Sequence, residues 1–133
     1  MPSIIVLDTH IWIWFVTQDF SRFPATWRNE IEIADRVGVS PVSCYEVALA
    51  KQKGRLELPC SVDLWLKNAL EPTGIELFPL TAETAREAVN LSPIHKDPFD
   101  RLIIATAIIY QAQLASIDHL FSQYPEINQK LMT

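Results

Sequence analysis

Short apolar runs alternate with helix-length segments along this chain, and the runs stop on acids. The run at 3–7, ending in IIVL, leads straight into Asp8, and LASI at 114–117 leads straight into Asp118. Strand-length runs separated by helical segments predict a parallel sheet with helical crossovers. An open parallel sheet puts its functional crevice beyond the carboxyl ends of its strands. Glu46 in SCYEVALAK and Asp100 in DPFDRLIIATA open helices that are expected to flank those same ends.

The remaining elements follow from local chemistry. THIWIWFV is apolar on nearly all sides and reads as a short helix buried on one face and covered on another. Pro24 fits the first turn of a helix over 24–35, and 37–40 is a short strand. Ser43 and Glu46 have capping-box spacing for a helix over 43–53, with Gly54 as its terminator. Further helices are expected over 61–70, over 81–91 capped by Thr81, and over 98–113 capped by Asp97 with Pro98 first. IELFPL at 75–80 is a strand, and short helical turns close the chain.

At 133 residues the chain has the length of one domain, and its 49% apolar content suffices for a core. A single domain over 1–133 is expected. No apolar run approaches the ~20 residues of a membrane span, and MPSIIVLDTH lacks the basic region of a signal peptide. A soluble, cytoplasmic protein without membrane contact is expected. Cys44 and Cys60 have no zinc-type or CxxC spacing and read as reduced thiols. The net charge of −5 argues against a non-specific duplex-DNA binder. Any nucleic acid is expected to be held locally.

Each acid has a plain structural account. Asp8, Asp100 and Asp118 suit helix starts, and Glu46 suits the capping box. Gathered in one crevice, however, they repel. Two unit charges about 4 Å apart cost roughly 4 kcal/mol at an effective dielectric of ~20. An all-oxygen cluster answers that repulsion best with a hard cation, Mg²⁺ or Mn²⁺, as one ion or two. Such ions bind phosphate oxygens and activate water, which is the chemistry of phosphodiester hydrolysis. Nucleotide-binding glycine loops and a GxSxG elbow are absent. Of the dispersed histidines, His95 stands nearest in sequence to the acids Asp97 and Asp100, and Asp97 is a candidate fifth acid as well as a cap.

IVLDTHIWIW, SPVSCYEVALAKQKGRLEL, HKDPFDRLIIATAI and LASIDHLF resemble, in order and spacing, the PIN-domain proteins, above all the VapC-type toxins of toxin–antitoxin pairs. The resemblance covers nearly the whole chain. It implies a PIN-like three-layer α/β/α sandwich with a central parallel sheet, and a metal-dependent endoribonuclease. It maps the catalytic and metal-holding acids onto Asp8, Glu46, Asp100 and Asp118. Thr9 matches a hydroxyl beside the first acid, and Ser116 stands where relatives often have Thr. Tyr45 replaces a common Trp. The resemblance also implies an RNA substrate, a cognate antitoxin protein and a homodimer. THIWIWFV is then a candidate contact surface. Lys51, Lys53 and Arg55 are candidate RNA contacts, and Arg101 is a candidate partner of Asp100 or of phosphate. Two other readings stand beside this one: a non-catalytic acidic metal-binding or interaction module, and a phosphoaspartyl phosphatase with Asp8 as nucleophile, although that class wants an acid where this chain has His10.

Overall fold

Among residues 2–133, which the computed structural model describes, one sheet is built from β1 (Ile4–Leu7), β2 (Arg36–Val39), β3 (Ile75–Leu77) and β4 (Gln113–Ala115). Its order is β3-β2-β1-β4, and every neighbouring pair is parallel. Val6 pairs with Gly38 on one side and Leu114 on the other. The chain steps outward from β1 through β2 to β3, then returns to lay β4 against the free side of β1. Strand order therefore reverses between β1 and β4. A crevice opens at such a switch point, beyond the carboxyl ends of the strands.

Alternation along β1 sends Ile5 and Leu7 into one core and Val6 into another. The first core holds Trp12 of α1 (Thr9–Val16), Trp27 of α2 (Ala25–Ile33) and Trp65 of α4 (Val62–Asn68). The second holds Ile103, Ile104 and Ala107 of α6 (Pro98–Ile109), with Phe121, Tyr124 and Ile127 from the closing segment. The helix α3 (Pro41–Gln52) supplies Val47 to the first and Val42 to the second, and α5 (Ala82–Asn90) packs on α6. The result is the three-layer α/β/α sandwich that the sequence implies. Burying each such aliphatic or aromatic side chain contributes about 1.5–3 kcal/mol.

Apolar crowding in α1 is resolved unequally. Trp12 is fully buried, donates its indole N–H to the Ala69 carbonyl at 2.9 Å, and meets the Trp65 ring edge-on at 5.2 Å. Trp14 and Phe15 stay half-buried at the rim of the same core.

Several local expectations are corrected. The N-cap of α3 is Ser40, whose Oγ accepts the Val42 N–H, so Pro41 rather than Ser43 opens the helix. Ser43 and Glu46 lie inside it. The α6 helix ends at Ile109, well before 113, because Gln111 takes a left-handed φ of 53° and turns the chain back into β4. The β3 strand covers only Ile75–Leu77; Phe78 leaves it to stack on Tyr110 at 4.1 Å. Gly54, at φ +73°, does terminate α3 as expected.

Candidate active site

Asp8 leaves β1 in extended conformation and caps α1, its Oδ1 accepting the Thr9 N–H at 2.8 Å. Its Oδ2 accepts the Ser116 hydroxyl at 2.8 Å, just beyond β4. Asp118 follows two residues on. Its backbone N–H donates to Ser116 Oγ, and its Oδ1 caps the closing 3₁₀ turn by accepting the Leu120 N–H. Capping and placement in the crevice thus coincide at both aspartates.

Glu46 comes from α3. The Thr9 hydroxyl donates to Glu46 Oε1 at 2.6 Å. Thr9 has one hydroxyl hydrogen, so the 2.8 Å contact with buried Ser43 is Ser43 donating to Thr9. Asp100 stands in the first turn of α6, after Asp97, whose Oδ1 accepts the Phe99 N–H. His95 Nε2 lies 3.2 Å from Asp118 Oδ2 and 3.7 Å from Asp100 Oδ2.

Asp8, Glu46, Asp100 and Asp118 line one cleft of about 530 Å³, together with Thr9, Trp14 and exposed Asp97. Elements far apart in sequence converge there because β1 and β4 are neighbours and α3 and α6 start beside them. Burial pushes the Asp8 carboxyl above its ordinary range, against the bonds from Ser116 and Thr9. Asp100 is pushed up to about 7, first by burial and then by the negative charge of Asp8, with His95 opposing. Glu46 is raised by burial while the Thr9 hydroxyl holds it down. All three are raised chiefly by burial, with mutual repulsion adding to it, and a cation beside them would oppose both effects. Half-buried, all-oxygen donors of this kind fit a hard divalent cation.

An adjoining groove of about 670 Å³ shares Thr9, His10, Trp14, Glu46 and Asp97 with the cleft and carries Arg22, Lys53 and Arg55. Lys51 is exposed and does not line it. Arg101 is corrected more fully: it does not pair with Asp100. Its guanidinium donates to the carbonyls of Ala88, Ser92, Val89 and Leu91, clamping the end of α5 to α6. Sequence reasoning missed Ser43 as a support of Thr9, although its i, i+3 spacing to Glu46 puts the two on one helix face. It also missed Tyr124, which no local pattern marks.

An acid-lined cleft at the switch point of a small parallel α/β sandwich is a nuclease-like arrangement. The chain belongs to the PIN-domain family, whose model matches residues 5–127. More particularly, it is 32% identical over 117 residues to Ribonuclease VapC22 of Mycobacterium tuberculosis (strain ATCC 25618 / H37Rv), a match covering 87% of this chain and 88% of that protein. The fold is shared with VapBC2 from Rickettsia felis bound to a promoter DNA fragment (TM-score 0.72, 18% identity, 97% of both chains). It is shared as well with DNA-bound VapBC from Salmonella typhimurium (TM-score 0.70, 16% identity, 99% of this chain and 98% of that one).

Proposed function

We propose that this chain is an endoribonuclease working with Mg²⁺ or Mn²⁺, the toxin of a toxin–antitoxin pair. Asp8, Glu46, Asp100 and Asp118 hold one or two ions directly or through water. The convergence of these four carboxylates on one cleft, in a chain 32% identical to a ribonuclease, carries the reading. A bound divalent ion supplies positive charge for the phosphate oxygens and for the attacking water.

The protein's own groups prepare that cleft. Ser116 and the Thr9 N–H each hold one oxygen of Asp8, and the Thr9 hydroxyl holds Glu46. Fixed carboxylates need no reorganisation when charge develops, which favours the transition state. Lys53 and Arg55 in the adjoining groove hold RNA phosphates, and the half-buried Trp14 ring offers a face for a base.

An antitoxin protein and a second copy of the chain are its partners, and it acts in the cytoplasm as one PIN domain over 1–133. No helix among the described residues is long and apolar enough to cross a membrane. The phosphatase reading is disfavoured because position 10, where that class wants an acid, carries His10.

Purified protein is to be incubated with a panel of RNAs and Mn²⁺ or Mg²⁺, with and without chelator. Cleavage is expected only with metal, and is expected to vanish in Asp8→Asn and Asp100→Asn. RNA left intact across the panel, despite bound metal, points instead to the non-catalytic module.

A further inference from the structure

His95, Asp100 and Asp118 offer ligand atoms within 4.8 Å of one another, which invites a mixed nitrogen and oxygen metal site. The hydrogen count around Tyr124 argues otherwise. Tyr124 is fully buried, and its Oη accepts the His95 backbone N–H at 2.8 Å. The phenol has one hydrogen to donate, and its other polar contact is His95 Nδ1 at 2.9 Å. A buried hydroxyl left without an acceptor forfeits its hydrogen bond to water with nothing in return. Tyr124 therefore donates to Nδ1, which leaves the imidazole hydrogen on Nε2. That hydrogen faces Asp118 Oδ2 at 3.2 Å, with Asp100 Oδ2 at 3.7 Å. The ring has little freedom to turn: its side chain is 7% exposed, parallel to Tyr124 and edge-on to Phe121 at 5.1 Å.

We propose that His95 is a positioning residue, locked by Tyr124 as the Nε2–H tautomer so that it donates to Asp118 and holds it beside Asp100, rather than a metal ligand. Tyr124 lies on the same closing segment as Asp118, so one short stretch carries both the acid and the clamp of its donor. With nitrogen excluded, the centre keeps an all-oxygen character and suits Mg²⁺ as well as Mn²⁺. The assignment of what His95 positions rests on the nuclease reading, whereas the tautomer does not.

The test has two arms. In metal-free protein, ¹⁵N NMR of the His95 ring is expected to show hydrogen on Nε2 and none on Nδ1, a preference that Tyr124→Phe weakens. In Mn²⁺-loaded protein, pulsed electron paramagnetic resonance is expected to show no directly bound imidazole nitrogen. His95→Ala is expected to weaken Mn²⁺ binding about 10- to 100-fold, the range for lost outer contacts. On RNA the same variant is expected to lower kcat with little change in KM. His95→Gln, whose amide N–H₂ replaces the lost donor, is expected to recover most of both losses. A nitrogen coupling to Mn²⁺, hydrogen on Nδ1, or unchanged metal affinity in His95→Ala would overturn the proposal. Wild-type protein that binds Mn²⁺ but cuts no RNA defeats the nuclease reading, and leaves the tautomer and affinity arms to decide this one.

Discussion

Ser116 donates its hydroxyl hydrogen to Asp8 Oδ2 at 2.8 Å across 108 positions of sequence. The bond ties the ends of the two strands between which the sheet reverses. It also favours the charged form of a carboxylate that burial pushes towards neutrality. Ser116→Ala removes that support and raises the Asp8 pKa further. The expected result is Mn²⁺ binding weakened about 10- to 100-fold, with its pH dependence moved to higher pH. The loss of fold stability is about 1 kcal/mol. Isothermal titration across a pH series and thermal melts check both. Serine replaced by threonine keeps the hydroxyl and should restore the affinity.

Asp100 makes metal-free stability depend on pH in an unusual direction. Its carboxyl titrates at about 7 in the fold, against an ordinary value of 3.8. Between those values the folded chain holds a proton that the unfolded chain has released. Its contribution to stability therefore falls as pH rises from about 4 to about 7, and is flat above. Asp100→Asn removes this share of the fall and leaves the shares of Asp8 and Glu46, whose carboxyls are also raised by burial. Above pH 7, without metal, it should be more stable than the parent by on the order of 1–3 kcal/mol, its partial exposure allowed for. Near pH 4 the two should match. Added Mn²⁺ should reverse the order, because the parent, with all four carboxylates, binds it more tightly than the variant. Urea titrations at several pH values, with and without Mn²⁺, decide the matter. A stability difference between Asp100→Asn and the parent that does not grow from pH 4 to 7 without metal contradicts the assignment.

Much of this cleft was legible because two of its acids follow directly on apolar runs. A residue that ends a buried strand has its place set by the strand, so Asp8 could be put at the carboxyl edge of the sheet from sequence; Asp118 stands three residues beyond β4, which ends at Ala115 rather than at Ile117, and is held there through Ser116. Glu46 and Asp100 could be placed less well. Ser43 looked like a cap, but Pro41 needs no N–H partner and let the helix start earlier, moving Glu46 past the first turn. Arg101 adjoins Asp100 in sequence, yet successive helical residues point about 100° apart. Its guanidinium turns to the carbonyls just past the end of α5, which have no helical partner. Tyr124 and Ser43 act through contacts spanning 29 and 34 positions, which nothing local encodes.

Gly38 has a packing role that bears on the sheet alone. A Cβ built there would lie 2.5 Å from the Phe78 ring, which is itself sandwiched by Tyr110. Phe78 is 1% exposed and has no room to retreat. Gly38→Ala should destabilise the fold by about 1–3 kcal/mol, the range for overpacking. Phe78→Leu in the same chain should recover part of the loss, since it removes the atoms that clash. Urea unfolding of the single and double variants measures the coupling, and additive effects would mean that the two side chains do not meet.

Basic residues around α3 should divide by position rather than by charge. Lys53 and Arg55 line the groove that adjoins the acids, whereas Lys51, two residues away, points outside it. A phosphate held in the groove feels the first two closely. At ~0.15 M salt, charges beyond about 8 Å are largely screened. Lys53→Gln with Arg55→Gln should therefore raise KM for RNA about tenfold and leave kcat nearly constant, since positioning contacts lie away from the reacting phosphate. The double variant should also show a shallower dependence of KM on salt, because fewer counterions are displaced on binding. Lys51→Gln changes net charge by the same sign and should shift neither quantity by more than about twofold. If Lys51→Gln raises KM as much as the groove pair does, the effect belongs to overall charge and the groove is not the path of the RNA.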